Sequence, residues 1–334
     1  MKVNTILVTG GTGAIGANLV RRLIDRCDKL IILDNLSSGF SNNLPKSDKI
    51  KLVRGNICDD KTLDEAFTDK INHVYHLAAN FANQNSVDYP EKDLQTNGLG
   101  TIKLLRYCVE NKVDKFLLAS SSCVYKSATE PFIEHGQLEL TTPYAITKLL
   151  SEYYVTFYNK FYGLPAVIVR YFNSYGPYTH PGKFRGVVPN FLWSAMHGEP
   201  LTITGTGDET RPFTFVQDII DGTLLAMEKG CRTDLGSFCS HPTDPDDNLV
   251  YNIGNERSVK ISHLAETINK ICGNKSEIKY LPRRDWDVIP NRAVCIDKAK
   301  KELGFQTRFT LEEGLKKTYE WYIGEEFDEQ NTKF

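Results

Sequence analysis

The clearest chemistry in this 334-residue sequence sits on two side chains four residues apart, Tyr144 and Lys148. That spacing puts both on one helix face, and Pro143 just before them suits a first helical turn. A free tyrosine has a pKa of about 10, too high for a base at neutral pH. An ammonium one turn away stabilises the phenolate, lowers that value, and makes the tyrosine a usable proton acceptor from a substrate hydroxyl. Upstream, Ser120-Ser121-Ser122-Cys123 follows the apolar run Phe116-Leu117-Leu118-Ala119. Ligands of open α/β sheets bind at the carboxyl ends of strands, so this cluster is expected to face a cleft. Serines after a strand are also ordinary turn formers.

A second constellation is Ile6-Leu7-Val8-Thr9-Gly10-Gly11-Thr12-Gly13-Ala14-Ile15-Gly16. An apolar strand breaks at glycines and resumes as a helix with Ile15, Leu19 and Leu23 on one stripe. Such a unit cradles a nucleotide phosphate. Glycine allows the tight turn and close backbone approach, and the helix N-terminus presents free N–H groups. Roughly 20 residues further on, the run Leu30-Ile31-Ile32-Leu33 ends at Asp34, where a carboxylate accepts hydrogen bonds from the ribose hydroxyls of NAD. It would repel the extra phosphate of NADP, and Asn35-Leu36-Ser37-Ser38-Gly39 offers no Lys or Arg to hold one. The expected cofactor is NAD.

The elements that must position these groups alternate. Strands are expected over 3–8, 30–33, 50–53, 73–77, 116–119 and 165–170. Helices are expected over 14–26, 63–67 and 93–110, the last with Leu99, Ile102, Leu105 and Val109 as its apolar stripe. This alternation specifies an α/β fold, a Rossmann-type doubly wound parallel sheet. The helix after Pro143 continues with Tyr154, Phe157, Tyr158 and Phe161 at i, i+3, i+4 and i+7. Core packing is the default reading of that stripe; part of it could instead pair with the 93–110 helix across a homodimer helix bundle. Beyond residue 172 strict alternation loosens into a smaller C-terminal α/β substrate lobe, 173–334. Segments of about 210–255 are expected to return to the sheet of the NAD half, 1–172. The polar stretch 234–248 reads as an exposed loop.

Hydrophobic content of 41%, charged content of 25% and a net charge of −2 describe an ordinary soluble protein without global attraction for nucleic acid or an anionic membrane. The first strand starts at the N-terminus, so no signal peptide is expected, and no apolar run reaches membrane-spanning length. The eight cysteines are scattered without a C-x-x-C pair, which suits reduced thiols in the cytoplasm. The histidines show no metal-ligand spacing, so no metal is expected.

At these residues the sequence resembles the NAD-dependent epimerase/dehydratase family, the extended short-chain dehydrogenases that act on nucleotide sugars. The resemblance covers nearly the whole chain. It rests on the glycine loop, Leu33-Asp34-Asn35, His76-Leu77-Ala78-Ala79, Asn97-x-x-Gly100-Thr101, Ser120-Ser121-Ser122, Tyr144-x-x-x-Lys148, Arg170-Tyr171-Phe172-Asn173, Tyr175-Gly176-Pro177, Gly205-x-Gly207-x-x-x-Arg211 and Arg284-Asp285-Trp286-Asp287. It implies cofactor contacts from Gly10, Gly13, Ala14, Ile15, Gly16, Asp34, Asn35, Ser38, Gly39, Asn56, Ile57, Leu77, Ala78, Ala79, Asn97, Tyr144, Lys148 and Tyr171. It implies substrate contacts from Ser121, Ser122, Asn173, Val188, Arg211 and Arg284, with Asn173 and the two arginines on the substrate diphosphate. Tyr144 would be the acid/base, Lys148 would orient the nicotinamide ribose, and Ser121 would hold the reacting sugar oxygen.

The family reaction is hydride transfer from sugar C4 to NAD, giving a 4-keto intermediate; subfamilies differ in the fate of that ketone. The 4,6-dehydratases place Asp and Glu just after the reacting Ser or Thr, and the decarboxylases keep a Glu at the second of those positions. This chain has Ser122 and Cys123, closer to the 4-epimerases. Cys-Val-Tyr also resembles 3,5-epimerases whose cysteine transfers protons, but Gly186-Val187-Val188 lacks their Lys or His before Pro189. Cys123 is therefore read as a small stand-in for Thr or Ser, with a catalytic thiol as the alternative. Trp286 replaces the family's usual glycine. The expectation is C4 epimerisation of a UDP-hexose. The alternatives are C3/C5 epimerisation, dehydration or decarboxylation on the same fold. A non-catalytic NAD sensor would tend to have lost Tyr144 or Lys148.

Overall fold

The computed structural model describes residues 3–126, 128–233, 249–284 and 289–324. Seven strands form one parallel sheet: β1 (Val3–Thr9), β2 (Cys27–Asp34), β3 (Ile50–Arg54), β4 (His73–His76), β5 (Lys115–Ser121), β6 (Ala166–Tyr171) and β7 (Val250–Ile253). Their spatial order is β7-β6-β5-β4-β1-β2-β3, and every neighbouring pair is parallel. Alternate residues feed two cores, Ile6, Val8 and Ile32 on one sheet face and Leu7, Ile31 and Leu33 on the other. Burial on both faces explains why these strands read as unbroken apolar runs. After β3 the chain crosses to the far side of β1. The strand order therefore reverses between β1 and β4, which opens a cleft at their carboxyl ends.

Helix α1 (Ala14–Leu23) buries Leu19 and Leu23 as expected. The expected 93–110 helix is interrupted. Leu94–Leu99 forms a wide turn before α2 (Gly100–Glu110). A widened turn rotates everything beyond it, since each residue turns a helix by about 100°. Thr101, Leu104, Leu105 and Cys108 consequently face the core, and Leu99 lies on the surface at 44% exposure.

Helix α3 (Pro143–Tyr162) carries Tyr144 and Lys148. Thr142 caps its start by accepting from the Ala145 N–H, and Gly163 ends it in the left-handed conformation at φ 69°. Its inward face is polar: Lys148, Ser151, Glu152 and Asn159 are buried. Phe157 and Phe161, read as core by default, are exposed at 42% and 55% and stack on each other.

The buried polar face of α3 is held by an ion pair. Arg170 on β6 and Glu152 on α3 are both fully buried, with Nη2–Oε2 at 2.6 Å and Nε–Oε1 at 2.9 Å. Ser120 on β5 donates to the same carboxylate. The second guanidinium nitrogen donates to the Tyr125 hydroxyl at 2.9 Å and the Glu134 carbonyl at 2.9 Å. Tyr125 in turn donates to Asn252 on β7 at 2.6 Å.

Across the carboxyl end of the sheet lie α4 (Val187–His197), the parallel strand pair Leu201–Thr204 and Ile278–Leu281, and α6 (Ile261–Ile271). Between them in sequence, α5 (Val216–Leu225) packs on α1 and precedes β7, which returns to the main sheet beside β6. The stretch 234–248 and Trp286 lie outside the described residues. Among the described residues no helix is long and apolar enough to cross a membrane, and the seven described cysteines are free.

Arg170→Met should leave the Glu152 carboxylate buried without a counter-charge and cost about 3–5 kcal/mol, read as a lower denaturant midpoint in chemical unfolding. A loss below about 1 kcal/mol, the scale of a surface pair, would show that water reaches this site.

Candidate active site

At the β1 turn, Gly10 has φ 70°, and a Cβ there would lie 2.7 Å from the Ala78 nitrogen, so the turn passes the end of β4 only with glycine. A Cβ on Gly16 would lie 2.2 Å from the Gly10 carbonyl oxygen. Gly13 differs: its Cβ would meet only that oxygen, at 3.4 Å, because the residue faces the cleft. It caps α1 with no side-chain hydrogen bond, and the first turn holds no acidic residue. The N–H groups of α1 are thus open to an anion in the cleft. The Asp34 carboxylate lines the same cleft and is aimed by two backbone donors, Thr12 N–H at 3.0 Å and Leu36 N–H at 2.9 Å. Ala14, Ile15, Asn35, Ser38, Asn56, Ile57, Leu77, Ala78 and Ala79 complete this half.

Two expected cofactor contacts stand elsewhere. Gly39 is packed on Thr12, where a Cβ would come within 2.2 Å of Oγ1, and does not line the cleft. Asn97 is buried behind it. Its Oδ1 accepts the Asn80 N–H at 2.8 Å, and its Nδ2 donates to Asp93 at 3.0 Å and Thr147 at 3.1 Å. Asn97 therefore ties the loop after β4 to the helix bearing Tyr144. The segment after Asp34 also meets a cation that its own sequence does not supply, since Arg185 donates to the Ser38 carbonyl.

In the reacting half, Tyr144 and Lys148 are buried and line the cleft with Ser121, Ser122 and Cys123. The Ser121 hydroxyl accepts the Cys123 N–H at 3.2 Å and lies on the same wall as the Tyr144 hydroxyl. Lys148 Nζ donates to the Ala119 carbonyl at 2.9 Å and lies 5.7 Å from the Tyr144 ring centre. Burial draws the Lys148 amine down to about 8, against the opposing pull of Asp93, Glu152 and Cys123. Burial pushes the Tyr144 hydroxyl well above its ordinary value, Cys123 and Asp93 add to this, and Ser121 opposes it. The lowering of the tyrosine expected from Lys148 does not occur: desolvation dominates, and the ammonium is drawn toward a β5 carbonyl.

Opposite lie Asn173, Val188, Arg211 and Arg284, with Tyr171 at the junction of the halves. Asn173 holds a left-handed φ of 37° that carries its carbonyl to the Thr214 N–H at 3.1 Å. Arg211 donates to the carbonyls of Thr210 at 2.9 Å and Pro290 at 2.7 Å. The Tyr171 hydroxyl pairs with Thr223 at 2.6 Å. Among the lining residues that no motif in the sequence marks are Asn83, Arg185 and Arg292. Asn83 and Arg292 sit in no periodic or glycine-marked segment, and Arg185, although flanked by Gly182 and Gly186, belongs to no motif. Among the described residues no three His, Cys, Asp or Glu side chains gather as a metal site.

The glycine turn, the uncapped helix and Asp34 fit NAD, with the pyrophosphate on α1 and a ribose on the carboxylate. Asp34→Ala should weaken NAD by about 10- to 100-fold, the worth of charged hydrogen bonds, and narrow its advantage over NADP in calorimetric titration. Wild-type protein that binds NADP as tightly as NAD would contradict this role.

The sequence matches the NAD-dependent epimerase/dehydratase family over residues 6–254. It is 31% identical to the UDP-N-acetyl-alpha-D-glucosaminuronate decarboxylase of Bacillus cytotoxicus, with 95% of this chain and 97% of that protein aligned. The fold superposes on an epimerase of Methanothermobacter thermautotrophicus with a TM-score of 0.93 at 39% identity, covering 100% and 96% of the two chains. It superposes on the UDP-glucose 4-epimerase of Thermotoga maritima with UDP-glucose with a TM-score of 0.87 at 33% identity, covering 96% and 99%. The glycine turn, Asp34, Ser121, Tyr144 and Lys148 all fall inside the matched span, and the chain belongs to the NAD-dependent epimerase/dehydratase family, with NAD as its cofactor.

Proposed function

We propose that the protein is a nucleotide-sugar epimerase that inverts C4 of a UDP-hexose through a 4-keto intermediate. The observation that carries this reading is the convergence of Ser121, Tyr144 and Lys148 on one wall of a cleft whose other walls fit NAD and a diphosphate. The likeness to two solved epimerases supports it. NAD, held by the glycine turn and Asp34, would supply the acceptor for the C4 hydride and the donor for its return to the opposite face. Tyr144 takes the O4 proton and gives it back. Ser121, fixed by the Cys123 N–H, holds O4 beside that hydroxyl. Lys148, tethered to Ala119, keeps a positive charge by the phenolate as it forms. Asn173, Arg211 and Arg284 grip the diphosphate, so the sugar ring can turn between the two transfers without leaving. Residues 1–172 serve as the NAD half and 173–334 mainly as the nucleotide-sugar half.

The decarboxylase of Bacillus cytotoxicus raises a second reading. It is disfavoured by Cys123, which brings no carboxylate to the position where the decarboxylases carry Glu. The scattered free thiols support a reducing compartment such as the cytoplasm. The outer surface supports a homodimer. Leu99, Ile146, Tyr153, Phe157 and Phe161 are all 38–55% exposed on the paired helices α2 and α3 and their junction. A second copy of the same face would bury them in a helix bundle.

Tyr144→Phe should lower turnover by roughly 10²-fold or more while NAD stays bound, the scale of a lost acid–base group. In D₂O the product should carry no deuterium on carbon, because the C4 hydrogen travels only to the cofactor and back. Deuterium at C3 or C5, or loss of the sugar carboxyl as CO₂, would replace 4-epimerisation with the corresponding rival reaction. For the dimer, Phe157→Glu should shift the sedimentation coefficient to that of a monomer; an unshifted value would place the interface elsewhere.

A further inference from the structure

We infer that the sugar accepted by this site carries a carboxylate at C5, as a hexuronate does, and that Arg292 is its anchor. The inference rests on the nucleotide-sugar reading above.

Arg292 is 9% exposed and lines the cleft. Its backbone is fixed, the N–H donating to the Thr210 carbonyl at 3.1 Å and the carbonyl accepting from Ser258 at 2.8 Å. The guanidinium is not satisfied. Nη1 reaches the Cys123 sulfur at 3.7 Å. Among the described residues Nε is buried with no hydrogen-bond partner. Among the described residues no carboxylate stands within ion-pair distance. An arginine this buried is ordinarily paired, because removing a cation from water without compensation is costly. Arg170 in the same chain illustrates the rule, with Glu152, Tyr125 and a carbonyl filling its donors.

The missing acceptor has a defined place. Asn83 also directs its amide nitrogen at the Cys123 sulfur, at 3.7 Å, and is oriented by Thr142 donating to its oxygen at 3.1 Å. Two strong donors thus converge on a thiol, which is a weak acceptor. A carboxylate entering beside the thiol accepts from both, and a guanidinium suits its planar geometry. Cys123 donates its N–H to the Ser121 hydroxyl at 3.2 Å and shares the cleft wall with Tyr144 and Lys148, so these donors meet at the reacting end of the sugar. A carboxylate on C5 is next to the C4 whose oxygen Tyr144 and Ser121 handle. The cleft supplies no substitute. Asp34 is the only Asp or Glu among the described residues that line it, and Thr12 and Leu36 fix it in the NAD half.

The test is calorimetric titration of the NAD-loaded protein with UDP-glucuronate and with UDP-glucose, turnover of each being followed in parallel. The expected result is about tenfold or greater preference in binding for UDP-glucuronate, the scale of a charge-assisted pair. Arg292→Gln should abolish the preference and Arg292→Lys should restore part of it, both judged on preparations that retain NAD. Equal affinity, tighter UDP-glucose, or binding of neither by the wild-type protein overturns the inference even if the variants fail to fold. A preference that survives in Arg292→Gln also overturns it. Preferred binding of UDP-glucuronate without epimer formation leaves the anchor standing and sinks the 4-epimerase reading. Epimerisation of UDP-glucose without preference does the reverse.

Discussion

The buried Arg170–Glu152 pair is the constraint on which the site geometry depends. Glu152 lies one helical turn beyond Lys148 and two beyond Tyr144, Ser120 precedes Ser121, and Arg170 precedes Tyr171. One carboxylate and one guanidinium therefore fix the α3 helix, β5 and β6 relative to one another, and Tyr125 extends the network to Asn252 on β7. Apolar packing alone tolerates small slides of a helix over a sheet. A bidentate pair with its remaining donors filled does not, because any displacement uncovers charge in a medium that cannot solvate it. The reacting hydroxyls are held by the layer beneath them.

A second set of polar contacts does the same from the other side. Asp93, Asn97 and Thr147 form a closed cluster at the root of α3, linking the helix to the loop after β4. Together the two networks explain why the inner face of α3 is polar. Burial sets the resting chemistry: Tyr144 is kept protonated by its dry surroundings, and the Lys148 amine is drawn down to about 8 against the pull of Asp93 and Glu152 in these networks.

How much the sequence discloses depends on how local each signal is. The strands are legible because burial on both faces leaves continuous apolar runs, and the nucleotide cradle because its glycines, helix start and Asp34 lie within one βαβ unit. The outward aromatic face of α3 is misread for a physical reason. Periodicity says that one face is apolar, not which way it points, and here the inward face is occupied by Lys148, Glu152 and Asn159. The rotation of α2 is invisible because one widened turn at Leu94–Leu99 leaves no compositional mark. Gly39 and Asn97, expected to touch the cofactor, instead support the cleft from behind. Arg292 is out of reach altogether, since burial of an arginine in an irregular segment is decided by tertiary contacts.

The cleft is opposite in sign to the molecule around it. The chain carries a net charge of −2, while Lys92, Lys148, Lys183, Arg185, Arg211, Arg284 and Arg292 converge on one concave surface with Asp34 as the only described acid. Low-dielectric walls focus such a field outward through the mouth, so anionic ligands are drawn in from solution faster than unguided collision would bring them. Because the Debye length is about 8 Å at physiological ionic strength, added salt shortens the reach of that field before it weakens contacts already made inside. Rising ionic strength therefore acts on this protein first as a brake on capture and only later as a loss of grip.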